Sequence, residues 1–328
     1  MKRKRLAVVL FQLGGPDSLE AVEPFLFNLF SDPDIIDFPF ARLARRPLAR
    51  LAARSRARKV QRHYTEIGGQ SPILELTRAQ ATALERELRK SLDASVFLAM
   101  RYWHPLTAAA VRQVQEGGFD ELVLLPLYPQ YCRVTSGSSL NEWQRQAARA
   151  GLNTLPAKVI RDFYQHPRYV EAVVENINSA LQRFPAPEPV TLVFTAHGIP
   201  RALAEAGDPY REQVEATLPL VTGRGGWGHP CRLCYQSKVG PGHWLQPMLP
   251  ETLRQLAAAG ANNVLVIPIA FVTDHIETLH EIDIHARAQA AQLGIARFEM
   301  MPALNDSPLF IQALADLVRN SLGTQPPP

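Results

Sequence analysis

The segment 274–283 carries a dense set of side chains that can hold a proton or a metal ion. Its members are Asp274, His275, Glu277, His280, Glu281 and Asp283. No Lys or Arg occurs between positions 271 and 285 to balance these acids. Imidazole and carboxylate groups bind divalent cations, and both exchange protons in enzymes. The composition of this segment therefore predicts a cation site or a proton path.

A helix over 274–284 would give the acids a common face. At about 100° per residue, Asp274, Glu277 and Glu281 point the same way, apart from the apolar residues of the segment. A capping box, with Asp274 at the N-cap and Glu277 three residues later, explains that pair equally well. It does not account for His275, His280 and Glu281, which is why we keep the functional interpretation.

A second candidate is His197, in the stretch FTAHGIP (194–200), where an apolar run opens into a turn. A lone histidine at such a place often serves a structural hydrogen bond, but another apolar run in this half of the chain leads into the acidic segment. Histidine and carboxylate together can bind Fe(II), Zn(II) or Mn(II), although the chain has no HExxH motif or His/Cys cage. We interpret His197 together with the acids of 274–283 as a weak, open ligand set, suited to a metal ion that is passed on.

Short apolar runs alternate with longer amphipathic stretches along the chain and predict the elements that position these residues. Predicted strands cover 5–13, 96–102, 121–128, 190–197 and 263–271. Predicted helices cover 76–92, 168–184, 250–260 and 307–323. Apolar strands separated by helices are typical of parallel sheets that are covered on both faces. The predicted fold class is α/β, doubly wound and Rossmann-like.

The two halves of the chain follow one plan. The stretch VVLFQLGGP (8–16) resembles TLVFTAHGIP (191–200), and VLLPLYPQYCRVTSGSSLNE (123–142) resembles VLVIPIAFVTDHIETLHEI (264–282). We predict two similar Rossmann-like domains. The first comprises residues 1–165 together with the C-terminal helix 307–323, and the second comprises residues 166–306.

Ligands of such sheets bind beyond the carboxyl ends of the strands. The polar groups at the predicted ends are Gln12, residues 136–139, His197 and residues 274–281. We expect the two domains to face a central cleft with these groups around it.

The overall composition excludes several classes of protein. The chain has 328 residues, a formal net charge of +4 and three cysteines. So mild a charge gives no case for nucleic acid as the main partner. Three cysteines make no disulfide framework, which favours a reduced, cytoplasmic setting. No apolar run reaches the ~18 residues that a membrane span needs.

The first residues, MKRKRLAVVLFQLGGPD, imitate a signal peptide because a basic cluster precedes an apolar run. The apolar run is short, and GGPD stands where a small-residue cleavage site would lie. We interpret this stretch as a first buried strand that ends in a glycine turn.

Eight segments, spread over nearly the whole chain, form a specific combination. They are LFQLGGPDSLEAVEPFLFNLFSDPDII (10–36), HYTEIGGQSPI (63–73), MRYWHP (100–105), LPLYPQYCRVTSGSSLNE (125–142), FTAHGIP (194–200), GDPY (207–210), YQSKVGPGHWLQP (235–247) and FVTDHIETLHEIDI (271–284). Together they resemble the ferrochelatase family, of the Gram-negative bacterial type. The resemblance implies insertion of Fe(II) into protoporphyrin IX, the last step of heme biosynthesis, which yields protoheme and releases two protons.

The resemblance also implies roles for single residues. His197 matches the family's active-site histidine and Glu277 the acid that faces it, and these two are the implied metal contacts. Asp274, His275 and Glu281 match its acidic path, on a helix with a π-type distortion. Whether His197 takes a proton or binds iron stays open.

The chemistry of metal insertion suits these residue types. Two pyrrole N–H protons must leave a free-base porphyrin, and the ring must buckle to offer its lone pairs to an ion. A histidine with a pKa near 6.5 can accept such a proton at pH 7. A line of carboxylates can lead protons out or Fe(II) in, and a site that binds the distorted ring better than the flat one lowers the barrier.

Other positions are candidates for porphyrin contacts. Leu13 stands where relatives place a tyrosine or methionine, and leucine cannot ligate a metal. Arg101 and Tyr102 match a cleft-lining pair. Thr65 and Glu66 replace basic residues of some relatives, which leaves the contacts to the propionates open. Four aromatic residues are candidates for stacking on the porphyrin, with core packing as the alternative: Tyr128, Tyr131, Tyr235 and Trp244.

The stretch 41–64 contains nine Lys/Arg and no acid, with leucines between them. A solvated helical surface explains this pattern, and so does attraction to anionic lipid or to a substrate with two propionates. The family's apolar entrance lip lies in this region, which favours peripheral membrane contact. No nucleic-acid motif supports the remaining alternative.

The cysteines raise the question of a cofactor. Cys231 and Cys234 form a CxxC, and some ferrochelatases hold a 2Fe–2S cluster, which needs four ligands. The chain supplies one further cysteine, Cys132, so His229 or another group would have to complete the set. We interpret the cysteines as ordinary thiols and expect no required cofactor, since Fe(II) is a substrate.

Three other functions compete with Fe(II) insertion into protoporphyrin IX. The first is insertion of a metal into coproporphyrin III or into another tetrapyrrole, such as cobalt into sirohydrochlorin. The second is a non-catalytic heme or porphyrin carrier, which has no need of acids opposite His197. The third is a periplasmic-type binding protein, against which the missing export signal argues. The sequence does not indicate an oligomeric state.

Overall fold

The computed structural model describes residues 4–35, 41–185, 188–238 and 242–323, without the side chains of 41–43. The chain forms two compact units: unit 1 comprises residues 1–163 and 311–328, and unit 2 comprises residues 164–310. The strands are β1 (Arg5–Gln12), β2 (Asp93–Met100), β3 (Glu121–Pro126), β4 (Ala157–Val159), β5 (Thr191–His197), β6 (Cys231–Gln236), β7 (Asn263–Pro268) and β8 (Arg297–Met300).

The described helices are mostly α-helical, with two π-helical segments, π1 (Arg133–Gly137) and π2 (Glu277–Ala286). The α-helices are α1 (Val22–Phe30), α2 (Ala41–Glu66), α3 (Ile73–Leu88), α4 (Thr107–Gly117), α5 (Ser138–Arg149), α6 (Pro167–Leu181), α7 (Arg201–Glu205), α8 (Tyr210–Gly225), α9 (Leu249–Ala258), α10 (Arg287–Gln292) and α11 (Pro308–Ser321).

Each unit contains one four-stranded sheet, and the two sheets have the same order. The order is β2-β1-β3-β4 in unit 1 and β6-β5-β7-β8 in unit 2, and every strand pairing is parallel. In both sheets the first strand of the unit lies at the centre, between the second and the third. The predicted α/β class with parallel sheets is therefore confirmed.

The central strands are mostly apolar, as is typical of parallel strands that are covered on both faces. In β1, residues Ala7 to Phe11 are fully buried, and one face packs against α4 and α5 through Val111, Val114 and Trp143. In unit 2, β7 packs in the same way against α9 and against the end of π2. A buried run of this kind is what the sequence pattern predicted for 5–13 and 263–271.

Three strands were missed from the sequence. The edge strands β4 and β8 have only three and four residues, and β4 is exposed along its whole length. In β6, the exposed Arg232 interrupts the apolar pattern. Short or partly exposed edge strands carry no continuous apolar signal, which is the physical reason why they escape a search for buried runs.

A glycine turn follows β1, as the sequence predicted. Gly14 has a φ of +80°, in the left-handed region that side chains disfavour. A Cβ atom on Gly15 would lie 2.5 Å from the hydroxyl of Ser71, so the chain passes too closely there for any larger residue. Within the described ranges, no helix has both the length and the apolar character needed to cross a membrane.

Candidate active site

The end of β5 positions His197. It is the last residue of a strand whose preceding residues are buried, and 32% of its side chain stays exposed. The hydroxyl of Tyr210 donates a hydrogen bond to the His197 carbonyl at 3.0 Å. The next residue, Gly198, donates its N–H to the Gln236 carbonyl on the neighbouring strand at 2.7 Å. These backbone contacts hold the imidazole at the carboxyl edge of the sheet.

The helix that carries the acids is π2, which begins at Glu277. The predicted helix over 274–284 is therefore wrong at its start, since Asp274 and His275 lie in the loop that follows β7. The buried Ile282 and Ala286 face the core of unit 2. The wider turn of a π-helix also moves its side chains away from ideal α-helical directions, and π-helical turns occur often at functional sites.

His197 and Glu277 are in direct contact. The Nδ1 atom of His197 lies 2.8 Å from Oε2 of Glu277, and only 18% of the Glu277 side chain is exposed. Burial alone would lower the pKa of His197, but the Glu277 carboxylate outweighs burial and raises that pKa above its ordinary value of 6.5. The pair is therefore a charge-assisted hydrogen bond whose histidine holds its proton more tightly than usual.

A second imidazole, that of His275, lies near the same oxygen of Glu277. His275 contacts the Thr273 carbonyl through Nδ1 at 3.0 Å, so Nδ1 carries the proton, and its Nε2 lies 3.7 Å from Oε2 of Glu277. Burial opposes the charge of His275, but Glu277 outweighs it and raises the pKa. Burial likewise opposes the charge of Glu277, yet the two imidazoles hold its pKa well below the ordinary range.

Glu281, one turn further along π2, behaves in the opposite way. Burial and the nearby charge of Glu277 raise the pKa of Glu281, although a hydrogen bond from the Ser237 hydroxyl partly counters them. Two carboxylates on one helix thus differ in their readiness to take a proton. Such a separation of pKa values is what a site needs when one acid stays ionised and the other exchanges protons.

Gln236 and Ser237 were not assigned a role from the sequence, yet both touch π2. The Gln236 amide donates to the Glu277 carbonyl at 3.1 Å and accepts from the Thr195 hydroxyl at 3.3 Å. Ser237, which binds Glu281, has a φ of +63°, an uncommon value for a residue other than glycine. The segment YQSKVGPGHWLQP contributed to the family resemblance, but only the contacts across the sheet show what these two residues do.

Asp274 lies close in sequence to this cluster, but its hydrogen bonds go to Thr278, Ala303 and Asn305. Among the residues that the structure describes, no group of three or more His, Cys, Asp or Glu side chains is arranged to hold a metal ion. The predicted metal contacts, His197 and Glu277, are hydrogen-bonded to each other. A passing ion would have to compete with that bond.

Comparisons with known proteins identify the family of the chain. The sequence model of the family described as Ferrochelatase matches residues 5–322.

The chain belongs to the ferrochelatase family.

A ferrochelatase of Geotalea daltonii is 47% identical over 320 residues, covering 98% of this chain and 99% of that protein. A ferrochelatase of Synechocystis is 46% identical, covering 98% of this chain and 84% of that protein. Among solved structures, SirB from Bacillus subtilis with Fe3+ has a TM-score of 0.56 at 11% identity, covering 97% of this chain and 95% of that chain. At that identity the third likeness bears on the fold alone.

Membership of the ferrochelatase family makes the protein an enzyme of the porphyrin metal chelatase class.

Within unit 2, one further predicted residue lies next to the site. The half-buried ring of Trp244 packs close to Gly198, directly after His197. Tyr235, by contrast, is only 2% exposed and belongs to the core of the unit.

The predicted substrate residues of unit 1 are partly engaged inside that unit. Arg101 is 11% exposed and binds Asp32 at 2.8 Å and the Ser138 hydroxyl at 2.8 Å. Tyr102 is 1% exposed and donates to Asp32 at 2.6 Å. The structure thus places Tyr102 in the interior of unit 1, where its hydroxyl serves a buried carboxylate.

The remaining candidates of unit 1 are more accessible. Leu13 follows β1, is partly exposed, and accepts a hydrogen bond from the Tyr102 N–H at 3.0 Å. Tyr128 and Tyr131 are also partly exposed, and the Arg161 guanidinium lies 4.4 Å from the centre of the Tyr131 ring. A cation over that ring shows that one face of Tyr131 already has a partner.

The cysteines do not converge within unit 2. Cys231 and Cys234 are three residues apart on β6, so their side chains point to opposite faces of the strand. Burial raises the pKa of Cys234 to about 12 and also raises that of Cys231, which disfavours the thiolates that a cluster needs. Cys132 lies buried in unit 1.

Proposed function

We propose that this ferrochelatase inserts Fe(II) into protoporphyrin IX, yielding protoheme and two protons. Family membership supports metal insertion into a porphyrin, and the contact between His197 and Glu277 supports the assignment of the reacting groups. A partly exposed imidazole, oriented by a buried carboxylate, is a general base held ready for a proton. A carrier has no need of this arrangement.

In the proposed mechanism His197 accepts a pyrrole proton. Glu277 engages Nδ1, so Nε2 is the atom that faces the porphyrin. His197 must be neutral to act as a base, and the imidazolium that forms is stabilised by the Glu277 carboxylate. The raised pKa of His197 makes it a stronger base, at the cost of a smaller neutral fraction at low pH.

The proposed mechanism also needs a path by which protons leave the site. Glu277 lies between His197 and His275, and Glu281 takes a proton more readily than an ordinary carboxyl group because its pKa is raised. Two protons leave for each ferrous ion that enters, so the charge of the porphyrin–metal product is balanced. We assign the proton route to His197, Glu277, His275 and Glu281.

Fe(II) is a substrate in this proposal, and no resident cofactor is required. His197 and Glu277 are the proposed contacts of the ion as it enters. Their mutual hydrogen bond allows each of two roles, proton acceptor or metal contact. Gln at position 277 keeps the hydrogen bond but loses the charge, whereas Ala at position 197 removes the base.

We also propose that helix α2 lets the protein associate with an anionic membrane from the cytoplasmic side. Leu48 and Leu51 are 51% and 67% exposed on this basic helix. Arg46 and Arg50 lie over the Phe27 ring at 5.6 Å and so help to hold the helix, whereas the exposed basic residues further along are better placed for lipid. Apolar and basic side chains on one helix suit an anionic lipid surface.

Vesicle sedimentation tests this membrane proposal. The variant Arg58→Gln/Lys59→Gln/Arg62→Gln should lose binding to phosphatidylglycerol vesicles, whereas the matched variant Arg78→Gln/Arg112→Gln/Arg149→Gln should keep it; all six positions are exposed. Equal binding of the two variants to phosphatidylglycerol vesicles would rule out an electrostatic role for α2. Wild-type binding that is equally strong on phosphatidylcholine and phosphatidylglycerol vesicles would do the same.

An anaerobic insertion assay tests the enzymatic proposal. Protein is mixed with protoporphyrin IX and Fe(II), or with Zn(II) as a surrogate, and the shift of the Soret band is followed. Wild-type protein should insert the metal rapidly, while His197→Ala and Glu277→Gln should lose most of the rate. Coproporphyrin III in a parallel assay tests substrate choice, and tight porphyrin binding without faster insertion would favour a carrier.

A further inference from the structure

Asn305, which follows β8, has an unusual backbone and an unusual set of contacts. Its φ is +44°, in the left-handed region that asparagine tolerates better than most residues. Its N–H donates to the Val272 carbonyl at 2.9 Å. This hydrogen bond joins the segment after β8 to the loop that leads into π2.

The side chain of Asn305 binds Asp274 at two points. Its Oδ1 accepts the backbone N–H of Asp274 at 3.0 Å, and its Nδ2 donates to Oδ2 of Asp274 at 2.8 Å. Each partner thus gives one donor and one acceptor, an arrangement that fixes both the peptide and the carboxylate. The two residues are 31 positions apart, so the contact is tertiary.

The other oxygen of Asp274 is used as well. Its Oδ1 accepts the Thr278 hydroxyl at 2.9 Å and the Ala303 N–H at 3.2 Å. Thr278 also accepts the His275 N–H at 3.0 Å. Asp274, which is 7% exposed, therefore connects its own loop, which contains His275, with the first turn of π2 and with the segment after β8.

We infer that Asn305 and Thr278 are positioning residues of the active site, and that Asp274 serves with them as an anchor for His275 and Glu277 instead of as a carrier of protons or metal. The inference rests on the proposed function, since it names what holds the proton route in place. Asn305 acts on the loop that contains His275 through its two hydrogen bonds to Asp274, and Thr278 acts on it through Asp274 and the His275 N–H.

The chemistry of the pair offers an exchange test. In Asp274→Asn, two amide groups face each other and one donor loses its acceptor, whereas in Asn305→Asp two carboxylates face each other. In the double variant Asp274→Asn/Asn305→Asp, the amide at 274 can donate to the carboxylate at 305, and its oxygen can still accept from Thr278 and Ala303. Every hydrogen bond of the anchor is then restored, while the negative charge has moved to position 305.

The assay measures Zn(II) insertion, with kcat and the porphyrin KM taken separately, in wild type and in these three variants. Each single variant should lower kcat about 10- to 100-fold with little change in KM, because a small displacement of a reacting group has effects of this size. The double variant should recover kcat to within about threefold of wild type. Asn153→Asp, the same substitution at an exposed position, is the matched control and should be silent.

Two outcomes would overturn the inference. If the double variant is as slow as Asp274→Asn, the charge at 274 acts in the reaction itself. If the single variants keep wild-type kcat and lose only thermal stability, the anchor is structural and does not position the site.

Amide hydrogen exchange over 272–278, measured without substrate, separates this inference from the proposed function. Exchange there should rise in both single variants and return to the wild-type level in the double variant. Should wild-type protein fail to insert metal while this exchange pattern is found, the proposed function fails and the anchor stands. If exchange is unchanged in the single variants, the anchor fails whatever the activity.

Discussion

Units 1 and 2 place different residues at the equivalent point of their two sheets. Phe11 pairs with Pro126 in unit 1, and Thr195 pairs with Pro268 in unit 2. Two residues after these positions stand Leu13 and His197, respectively. One fold therefore offers an equivalent strand end twice, and only unit 2 equips it with a group that accepts protons.

In each unit, one residue at or just after the end of the second strand makes an equivalent contact, but the chemistry of the two contacts differs. Arg101 follows β2 and donates to the Ser138 hydroxyl at the start of α5, whereas Gln236, at the end of β6, donates to the Glu277 carbonyl at the start of π2. In both units this position braces the helix that follows the third strand. The bracing contact occurs in both units and is a feature of the fold, whereas the acid that it contacts in unit 2, Glu277, is a feature of the functional site.

The buried acids of the two units differ in their partners. Asp32 of unit 1 meets a guanidinium and two hydroxyl groups, from Arg101, Tyr102 and Ser138, and its side chain is fully buried. Glu277 of unit 2 meets two imidazoles, which can themselves gain or lose a proton. A carboxylate surrounded by permanent donors stabilises a structure, and one surrounded by titratable groups can move protons.

The largest expected effect comes from giving unit 2 the residue of unit 1. His197→Leu copies Leu13 and should lower kcat about 10²- to 10⁴-fold, the usual contribution of a general base. Folding should be kept, because leucine suits the end of a buried strand. The insertion assay and a thermal melt measure the two effects, and His285→Leu, at an exposed position of the same unit, is the control. A full rate in His197→Leu would exclude His197 as the base.

Breaking the permanent pair of unit 1 should act on stability instead. Arg101→Met leaves Asp32 buried without its cation, which should lower the free energy of unfolding by about 3–5 kcal/mol. Arg145→Met is the control, since Arg145 is 35% exposed where it binds Asp34 and should cost no more than about 1 kcal/mol. Urea unfolding measures both, and equal losses would remove the distinction between a buried and a half-exposed pair.

The charge of Glu277 should govern the titration of His197. In Glu277→Gln, burial acts on His197 without that opposing charge, so its pKa should fall from above 6.5 toward lower values. Glu281→Gln should lower it less, because Glu281 contributes less. NMR titration of the imidazole measures the shift, and an unchanged pKa in Glu277→Gln would mean that the pair is not formed in solution.

The same pair sets a window of pH for stability. The raised pKa of His197 adds stability that is complete below pH 6.5 and is lost as pH rises through the folded-state pKa. The lowered pKa of Glu277 adds stability that is present above pH 4.5 and is lost as pH falls through the folded-state pKa. Glu277→Gln should therefore lose most relative to wild type between these limits.

The smallest expected effect concerns Ser237, the counterpart of Tyr102 after the second strand. Ser237→Ala removes the hydrogen bond to Glu281 and should raise the pKa of that carboxyl further. Ser237→Gly removes the same bond but relieves the φ of +63°, so it should be more stable than Ser237→Ala by roughly 1 kcal/mol. Thermal melts compare the two variants, and equal stability would show that the backbone there is not strained.

Local sequence patterns were sufficient to predict the α/β class, the central strands of both parallel sheets and the position of His197 at a strand end. A run such as VVLF or VLVI can only be buried on both sides, and polar residues directly after it must lie at the carboxyl edge of a sheet. The bounds were less certain: the helix predicted over 274–284 begins at Glu277. Periodicity reports which face is buried, and it does not distinguish a capped loop from the first turn of a helix.

The tertiary structure alone determined which side chains hold the site. Asn305 reaches Asp274 across 31 positions, Ser237 reaches Glu281 across 44, and Gln236 reaches Glu277 across 41. Contacts of this length depend on which strands lie side by side, and no local pattern records that. The two imidazoles that lower the pKa of Glu277 against its burial, and the burial and Glu277 charge that raise the pKa of Glu281, likewise come together only once the chain has folded.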